Sequence, residues 1–278
     1  MRAVVVVPVY SSVISKAEMA SFRQCVMILG KHDIVLVSYQ QLNCTVYGQI
    51  ASDFGVALKY EFFDPYYFSS VRGYNQLCLS PVFYRRFAYY DYMLVYQLDA
   101  WVFRDELDAW CQKGYDYIGA PWFRKCNGEF TSDFSGFVGN GGFSLRKISF
   151  CLKVVTRQDR LPVLTPRGLW MLLSVTRQEW QEWLKFPFRC MGAGNNSRYF
   201  FSLLSSEHVL NEDMLFSLYR YSYWHCSIPD SKEASRFSFE VHPDLLFEMI
   251  NKQLPFGCHA YMKNEYESFW NKYIQIKS

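Results

Sequence analysis

Apolar runs and helically spaced apolar positions alternate along the first 150 residues. Val4–Val7 form an unbroken apolar run ending at Pro8, as expected of a strand covered on both faces with a loop at its carboxyl end. Ser15 and Glu18 have capping-box spacing, and Met19, Phe22, Val26 and Leu29 then recur at helical intervals until Gly30 stops the helix. Ile34–Ser38 is again strand-like. A strand, a helix and a strand in such quick succession make a βαβ unit, which predicts a parallel sheet.

The rhythm continues with a strand over Val56–Phe63, a helix over Asn75–Phe87, a strand over Met93–Leu98 and a helix over Glu106–Lys113. Tyr115–Gly119 and Gly142–Leu145 read as further strands. Beyond residue 150 the pattern changes. Arg177–Lys185 and Glu207–Tyr219 read as helices around the loop FRCMGAGNNSRYF, Arg236–Val241 as a strand and Asn264–Ile274 as a terminal helix. No internal repeat, low-complexity tract or Pro/Ser-rich linker intervenes. The expectation is one α/β domain over residues 1–278 with an elaborated C-terminal half.

Composition narrows the function classes. Half of the 278 residues are hydrophobic, enough for a sizeable core, and the net charge of +3 is too slight for a nucleic-acid footprint. The nine cysteines form no C-x-x-C pair and their number is odd, which argues against a disulfide framework or structural zinc and for a reducing compartment. The opening MRAVVVVPVY is too short in apolar length for a signal peptide or a span. A cytoplasmic protein is expected, with a peripheral contact at the inner face of the cytoplasmic membrane left open. The 24 Phe, 21 Tyr and 8 Trp suit either a heavy core or stacking platforms for sugars and bases.

Four stretches carry candidate chemistry. MLVYQLDAWVF (Met93–Phe103) brings Asp99 to the tip of a core strand, where open α/β sheets bind ligands, and so is the loop after Val7. Asp99 is a poor cap for the next helix, which starts near Asp105; a hard cation or a sugar hydroxyl is the better partner. GFVGNGGFSLRK (Gly136–Lys147) packs four glycines into seven residues, which permits close backbone approach to a ligand, and Asn140 within it can read a sugar. It fits neither the dinucleotide fingerprint nor the P-loop.

In HVLNEDMLFSLY (His208–Tyr219), Glu212 and Asp213 are adjacent and so diverge by about 100° on a helix, which rules out the opposed carboxylate pair of a glycosidase. One of them remains a candidate base, and both suit a helix N-terminus. LPFGCHAYMK (Leu254–Lys263) offers His259 and Lys263 to a metal or a diphosphate. No H-E-x-x-H, G-x-S-x-G or Cys–His signature supports protease or hydrolase chemistry.

VYQLDAWVF, YDYIGAPW, VGNGGFSLR, NED and PFGCHA, in this order over residues 92 to 260, resemble GT-A-type glycosyltransferases. More closely, they resemble a bacterial family first catalogued as a domain of unknown function and found among polysaccharide-assembly genes. The resemblance implies a GT-A-like, Rossmann-type mixed sheet flanked by helices. Residues 1–150 would bind a nucleotide-diphosphate sugar, UDP- or GDP-linked, and residues 151–278 a saccharide or lipid-linked acceptor of surface polysaccharide synthesis.

By the same resemblance, Pro8, Val9, Tyr10 and Arg72 contact the nucleotide, and Asn140, Gly141 and Gly142 the donor sugar. Asp213 is the catalytic base that deprotonates the acceptor hydroxyl or an orienting group, and Lys263 supports the leaving diphosphate. Asp99 matches the first acid of the Asp-x-Asp metal motif and His259 the late metal-binding histidine, while Trp101 stands where the second acid belongs. Either Asp99 and His259 hold a Mn²⁺ or Mg²⁺ ion, or Arg72, Arg85 and Lys263 offset the phosphate charge without one. A non-catalytic carbohydrate-binding protein, with Trp101 as a stacking face, is the rival reading. A nucleotidyltransferase is disfavoured because PVYSSVISK lacks the glycines of its usual loop.

Overall fold

The computed structural model of the chain describes residues 1–126, 129–156, 211–221 and 225–276. The expected helix Arg177–Lys185, the loop FRCMGAGNNSRYF and the start of the helix expected from Glu207 lie outside these residues.

The first strand, β1 (Ala3–Pro8), sits inside a six-stranded sheet of order β3-β2-β1-β4-β9-β6. Its neighbours β2 (Asp33–Ser38) and β4 (Tyr92–Tyr96) run parallel to it, and β3 (Lys59–Phe62) runs parallel to β2. The strand β9 (Phe143–Lys147) returns antiparallel between β4 and β6 (Tyr117–Ile118). This mixed sheet flanked by helices is the α/β architecture expected from the sequence.

The continuous valine run divides between two cores. Val4 and Val6 pack with Val35, Val37, Met93 and Val95 on one face, and Val5 and Val7 with Ile34, Leu36, Leu94 and Tyr96 on the other. Side chains alternate along a strand, so only an uninterrupted apolar run fills both faces.

Helix α1 (Lys16–Leu29) begins with the expected capping box: Ser15 Oγ accepts from Glu18 N–H at 3.2 Å, and Glu18 Oε2 accepts from Ser15 N–H at 2.8 Å. Gly30 closes the helix for packing rather than for a left-handed turn. Its φ is −63°, and a Cβ there would lie 2.4 Å from Val26 O and 2.7 Å from Val56 Cγ2. Helix α2 (Thr45–Asp53) was not legible from spacing.

The helix expected over Asn75–Phe87 is two helices, α3 (Val71–Cys78) and α4 (Pro81–Arg86). The break is chemical: Ser80 Oγ accepts from Val82 N–H, and Pro81 cannot continue a helix but suits the first position of a new one. A further strand, β5 (Trp101–Val102), and helix α5 (Leu107–Gln112) follow. Next, β7 (Ala120–Cys126) pairs antiparallel with β8 (Glu129–Gly139), where FRKCNGEFTSDF carries no strand signal in the sequence. Helix α6 (Ile148–Thr156) follows β9.

The strand expected over Arg236–Val241 shrinks to β10 (Ser238–Phe239), because Arg236 and Phe237 end the helix Ser231–Phe237. β10 pairs in parallel with β11 (Gly257–Cys258), which pairs antiparallel with β5. The terminal helix is reduced to a turn at Asn264–Tyr266 and a helix at Glu267–Trp270. Among the described residues every cysteine is free, and no helix is long and apolar enough to cross a membrane.

Candidate active site at the strand ends

The carboxyl ends of the parallel strands β1 and β4 gather the candidate residues. After β4, Gln97 N–H donates to Gly142 O and Ala100 N–H to Gln97 O, so the chain folds back sharply into β5 with Asp99 in the turn. Asp99 is about one-third exposed, and Tyr261 N–H donates to its carbonyl. The tip of a core strand therefore delivers a carboxylate that stays partly exposed.

His259 follows β11 and is anchored by its backbone N–H on Phe239 O at 2.9 Å. Its Nε2 lies 3.0 Å from Asp99 Oδ1 and 3.2 Å from Gln97 Oε1, and its Nδ1 lies 3.4 Å from Glu240 Oε1. Burial alone pushes the imidazole pKa down, but the hydrogen bonds to Asp99 and Glu240 outweigh it and raise the value to about 10. For Asp99 and Glu240, burial pushes the carboxyl pKa up and the hydrogen bond to His259 outweighs it, leaving both below the usual carboxylate range. The positive charge of Lys263 acts on both carboxylates in the same direction.

These shifts set a pH dependence for the metal-free protein. The stabilisation from charged His259 is fully present below its unfolded pKa of about 6.5 and is lost as pH rises towards the folded value. The contribution of Asp99 and Glu240 runs the other way, present above about 4 and lost as pH falls through their lowered folded values. Urea unfolding in EDTA should therefore show wild-type stability falling between pH 6.5 and 10 relative to His259→Gln. Parallel curves for the two proteins over that range would contradict the pairing.

The Asn140–Gly142 turn joins β8 to β9. Asn140 has a φ of +86°, and its Oδ1 accepts from Gly142 N–H at 3.0 Å and Phe143 N–H at 3.3 Å. Asparagine tolerates this conformation by bonding its own backbone. Its Nδ2 is buried with no hydrogen-bond partner among the described residues. A Cβ on Gly142 would lie 2.1 Å from His259 Nε2 and 2.7 Å from Gln97 Oε1, so only glycine lets these side chains meet beside the turn.

Asp213 lies buried against this turn. Its Oδ2 accepts from Asn140 N–H at 2.9 Å and Gly141 N–H at 3.0 Å, and its Oδ1 from Met214 N–H at 2.7 Å. Burial and the neighbouring charge of Glu212 push its pKa up, opposed by the amide donors. Glu212 diverges as expected and pairs with Arg146, Nη2 to Oε1 at 2.8 Å, with both side chains buried. Arg146 also donates to Gly141 O, Ser144 Oγ and Tyr84 Oη. Asn75, buried in α3, donates to Asn211 Oδ1 and so ties the start of this helix (Glu212–Leu218) to α3.

Pro8 and Val9 are buried at the end of β1, with Val9 fixed by Val37 O and Ser38 Oγ. Tyr10 is exposed, and the charges of Glu18 and Asp99 act on it. Arg72 and Arg85 stand exposed on α3 and α4, and neither is a partner of Asp99, Glu240 or His259. Trp101 is a core residue: it is 8% exposed and packs edge-on against Tyr261. Its indole has no free face for a sugar, which removes the feature that favoured a lectin.

A surface cavity of about 590 Å³ lies apart from this cluster, lined in part by Arg104, Phe247, Lys252 and Tyr273. Its lining includes none of Asp99, His259 and Asp213.

Sequence reasoning did not single out Arg146, Glu240 or the side chain of Gln97. Arg146 follows the alternation of β9 and looks like any surface residue, because its partner is 66 residues away in the chain. Among the described residues, no three His, Cys, Asp or Glu side chains are grouped to hold an ion. The donor set nevertheless suits one: Asp99 Oδ1, Gln97 Oε1 and His259 Nε2 meet beside the glycine at 142, with a carboxylate on the other ring nitrogen.

The profile of a family described as "Protein of unknown function (DUF5672)" matches residues 57–259, well over half of the chain. The chain belongs to the DUF5672 family. The matched span runs from the start of β3 to His259 and includes Asp99, the Asn140–Gly142 turn and Asp213. No curated protein matches the chain.

Several solved structures align with this DUF5672 protein at low similarity. The apo glycosyltransferase GlyE of Streptococcus pneumoniae TIGR4 is 12% identical, with a TM-score of 0.44. That alignment covers 99% of this chain and 61% of the other, so the chain spans less than two thirds of its length. The galactosyltransferase LgtC, solved with donor and acceptor sugar analogs, is 11% identical over 92% of this chain and 86% of its own, with a TM-score of 0.47. Mouse xyloside xylosyltransferase 1 is 7% identical over 93% and 96%, with a TM-score of 0.48.

Proposed function

We propose that this DUF5672 protein transfers a sugar from a nucleotide-diphosphate donor to a saccharide or lipid-linked saccharide acceptor in bacterial surface polysaccharide synthesis. One observation carries the reading. Asp99, Gln97, His259 and the Asn140–Gly142 turn converge at the carboxyl ends of β1 and β4, where an α/β sheet binds its ligand.

In this reading the loop Pro8–Tyr10 receives the nucleotide, with Arg72, exposed on α3, assigned to its phosphates on the resemblance alone. Asp99 and His259 would hold a divalent cation, which supplies charge neutralisation of the departing diphosphate. Lys263 adds a second positive charge on that side. Asn140 presents its buried, unpartnered Nδ2 beside the turn as a hydrogen-bond donor for a sugar hydroxyl. Asp213, with both oxygens engaged by backbone amides, is assigned the role of holding this turn in place. Residues 151–278 are assigned to the acceptor.

The test is calorimetric titration with UDP and with GDP, each in Mn²⁺ and in EDTA. Binding of one nucleotide, followed by hydrolysis of its sugar derivative in the absence of acceptor, is the expected result. Binding of neither nucleotide under either condition would overturn the transferase reading.

A further inference from the structure

The second acid of the metal motif is replaced by Trp101, and Trp101 is locked in the core by Tyr261 and its neighbours. A cation at this site therefore lacks one customary ligand. Gln97 is two residues before Asp99 instead of two after, and the turn brings its amide oxygen to the same side of His259. Asp99 Oδ1 and Gln97 Oε1 stand 3.0 Å and 3.2 Å from His259 Nε2.

In the metal-free protein these are hydrogen-bond distances from the imidazole. They bring two oxygens and one ring nitrogen together, and an ion that displaces the proton of Nε2 would meet all three. The glycine at position 142 supports the same reading, since a Cβ there would occupy the space beside Nε2 and Gln97 Oε1. Glu240 meets the opposite ring nitrogen, Nδ1, at 3.4 Å. A carboxylate there accepts a hydrogen bond from Nδ1–H and so leaves Nε2 as the coordinating atom, the usual outer arrangement of a metal-binding histidine.

We propose that Gln97 substitutes for the missing second acid, so that Gln97 Oε1, Asp99 Oδ1 and His259 Nε2 form one face of a divalent-cation site, with Glu240 as the positioning residue of His259. The remaining positions belong to water and to oxygens of a diphosphate. This inference deepens the proposed function and rests on it only for the diphosphate. Two oxygens and one imidazole suit Mn²⁺ or Mg²⁺ better than a thiol-seeking ion. One charged ligand instead of two makes a weak site when the diphosphate is absent.

The experiment measures Mn²⁺ binding directly, by the loss of the free-ion electron paramagnetic resonance signal, with and without UDP or GDP. The wild-type chain is expected to bind Mn²⁺ more tightly when its nucleotide is present. Gln97→Ala should weaken binding at least tenfold, and Gln97→Glu should match or exceed wild type because it restores a second acid. Glu240→Gln should lower affinity by about 10–100-fold, the effect of losing an outer-shell carboxylate. Far-ultraviolet circular dichroism checks that each variant is folded.

Unchanged Mn²⁺ affinity in Gln97→Ala, or weakened affinity in Gln97→Glu, would overturn the proposal. So would nucleotide binding by wild type that is indifferent to Mn²⁺ and EDTA, an outcome that leaves the transferase reading standing. Mn²⁺ bound through Gln97 with no nucleotide bound would uphold the cation site and remove the transferase reading.

Discussion

Replacing Arg146 by Met is expected to destabilise the protein by about 3–5 kcal/mol, because it strands an ionised Glu212 in a site with almost no solvent. Arg146 is fully buried and makes four hydrogen-bonding contacts, to Glu212, Gly141, Ser144 and Tyr84. The large cost comes from the partner left behind, so Arg146→Met with Glu212→Gln should recover a good part of it. Urea unfolding of the two single variants and the double variant measures this as a double-mutant cycle. A single variant within 1 kcal/mol of wild type would show that Glu212 takes up a proton or water instead. Because Arg146 also holds Gly141 O, the single variant should weaken donor binding as well.

Asp213→Asn separates two roles that the sequence leaves together. In the structure its carboxylate accepts three backbone N–H groups, two of them from the Asn140–Gly141 turn. An asparagine must turn its own NH₂ towards one set of these donors and leave an amide unsatisfied, at a cost of about 1–3 kcal/mol. The turn then shifts, and binding of the nucleotide sugar and its transfer are expected to fall together. A base that only deprotonates the acceptor predicts otherwise: unchanged thermal midpoint, unchanged donor binding and transfer lost. Calorimetry with the nucleotide sugar and a melting curve on the same preparation decide between them.

The two expectations share one physical arrangement. β9 leaves the Asn140–Gly142 turn carrying Arg146 inward, and the helix Glu212–Leu218 begins with two acids that grip the turn and that arginine. A buried ion pair is weak support for stability in itself, because desolvation offsets its attraction. Here it fixes the carbonyl of Gly141 while Asp213 fixes the amides on the other side. The turn beside His259 is thus held by charge-assisted bonds from beneath, and its buried Asn140 Nδ2 has no partner among the described residues. Such groups are commonly satisfied by a ligand or by water.

Much of the sheet could be read directly. Val4–Val7 is apolar on both faces, so it had to be an interior strand, and the capping pair Ser15 and Glu18 located α1 to the residue. Asp99 at a strand tip and the glycines at 141 and 142 were likewise legible, because a carboxylate after a core run and clustered glycines break local rules that only a site excuses. The short elements were not legible. β5, β10 and β11 are two residues each, too brief for any periodicity, and β5 finds its partner β11 only across most of the described chain. The hairpin of β7 and β8 was hidden because Arg124, Asn127 and Gly128 read as loop chemistry while Phe123 and Phe134 pack face to face across it.

What the sequence by itself determined is the parallel αβ half, the strand tip bearing Asp99 and membership in a family with a recognisable order of motifs. Local propensity and two-sided burial suffice for these, since each is encoded within a single element or its immediate neighbours. Only the tertiary structure decided that Trp101 belongs to the core, that Gln97 and Glu240 flank His259, and that Arg146 and Asp213 grip the Asn140–Gly142 turn. Most of those outcomes join residues far apart in sequence, and no spacing along the chain encodes which buried charge meets which.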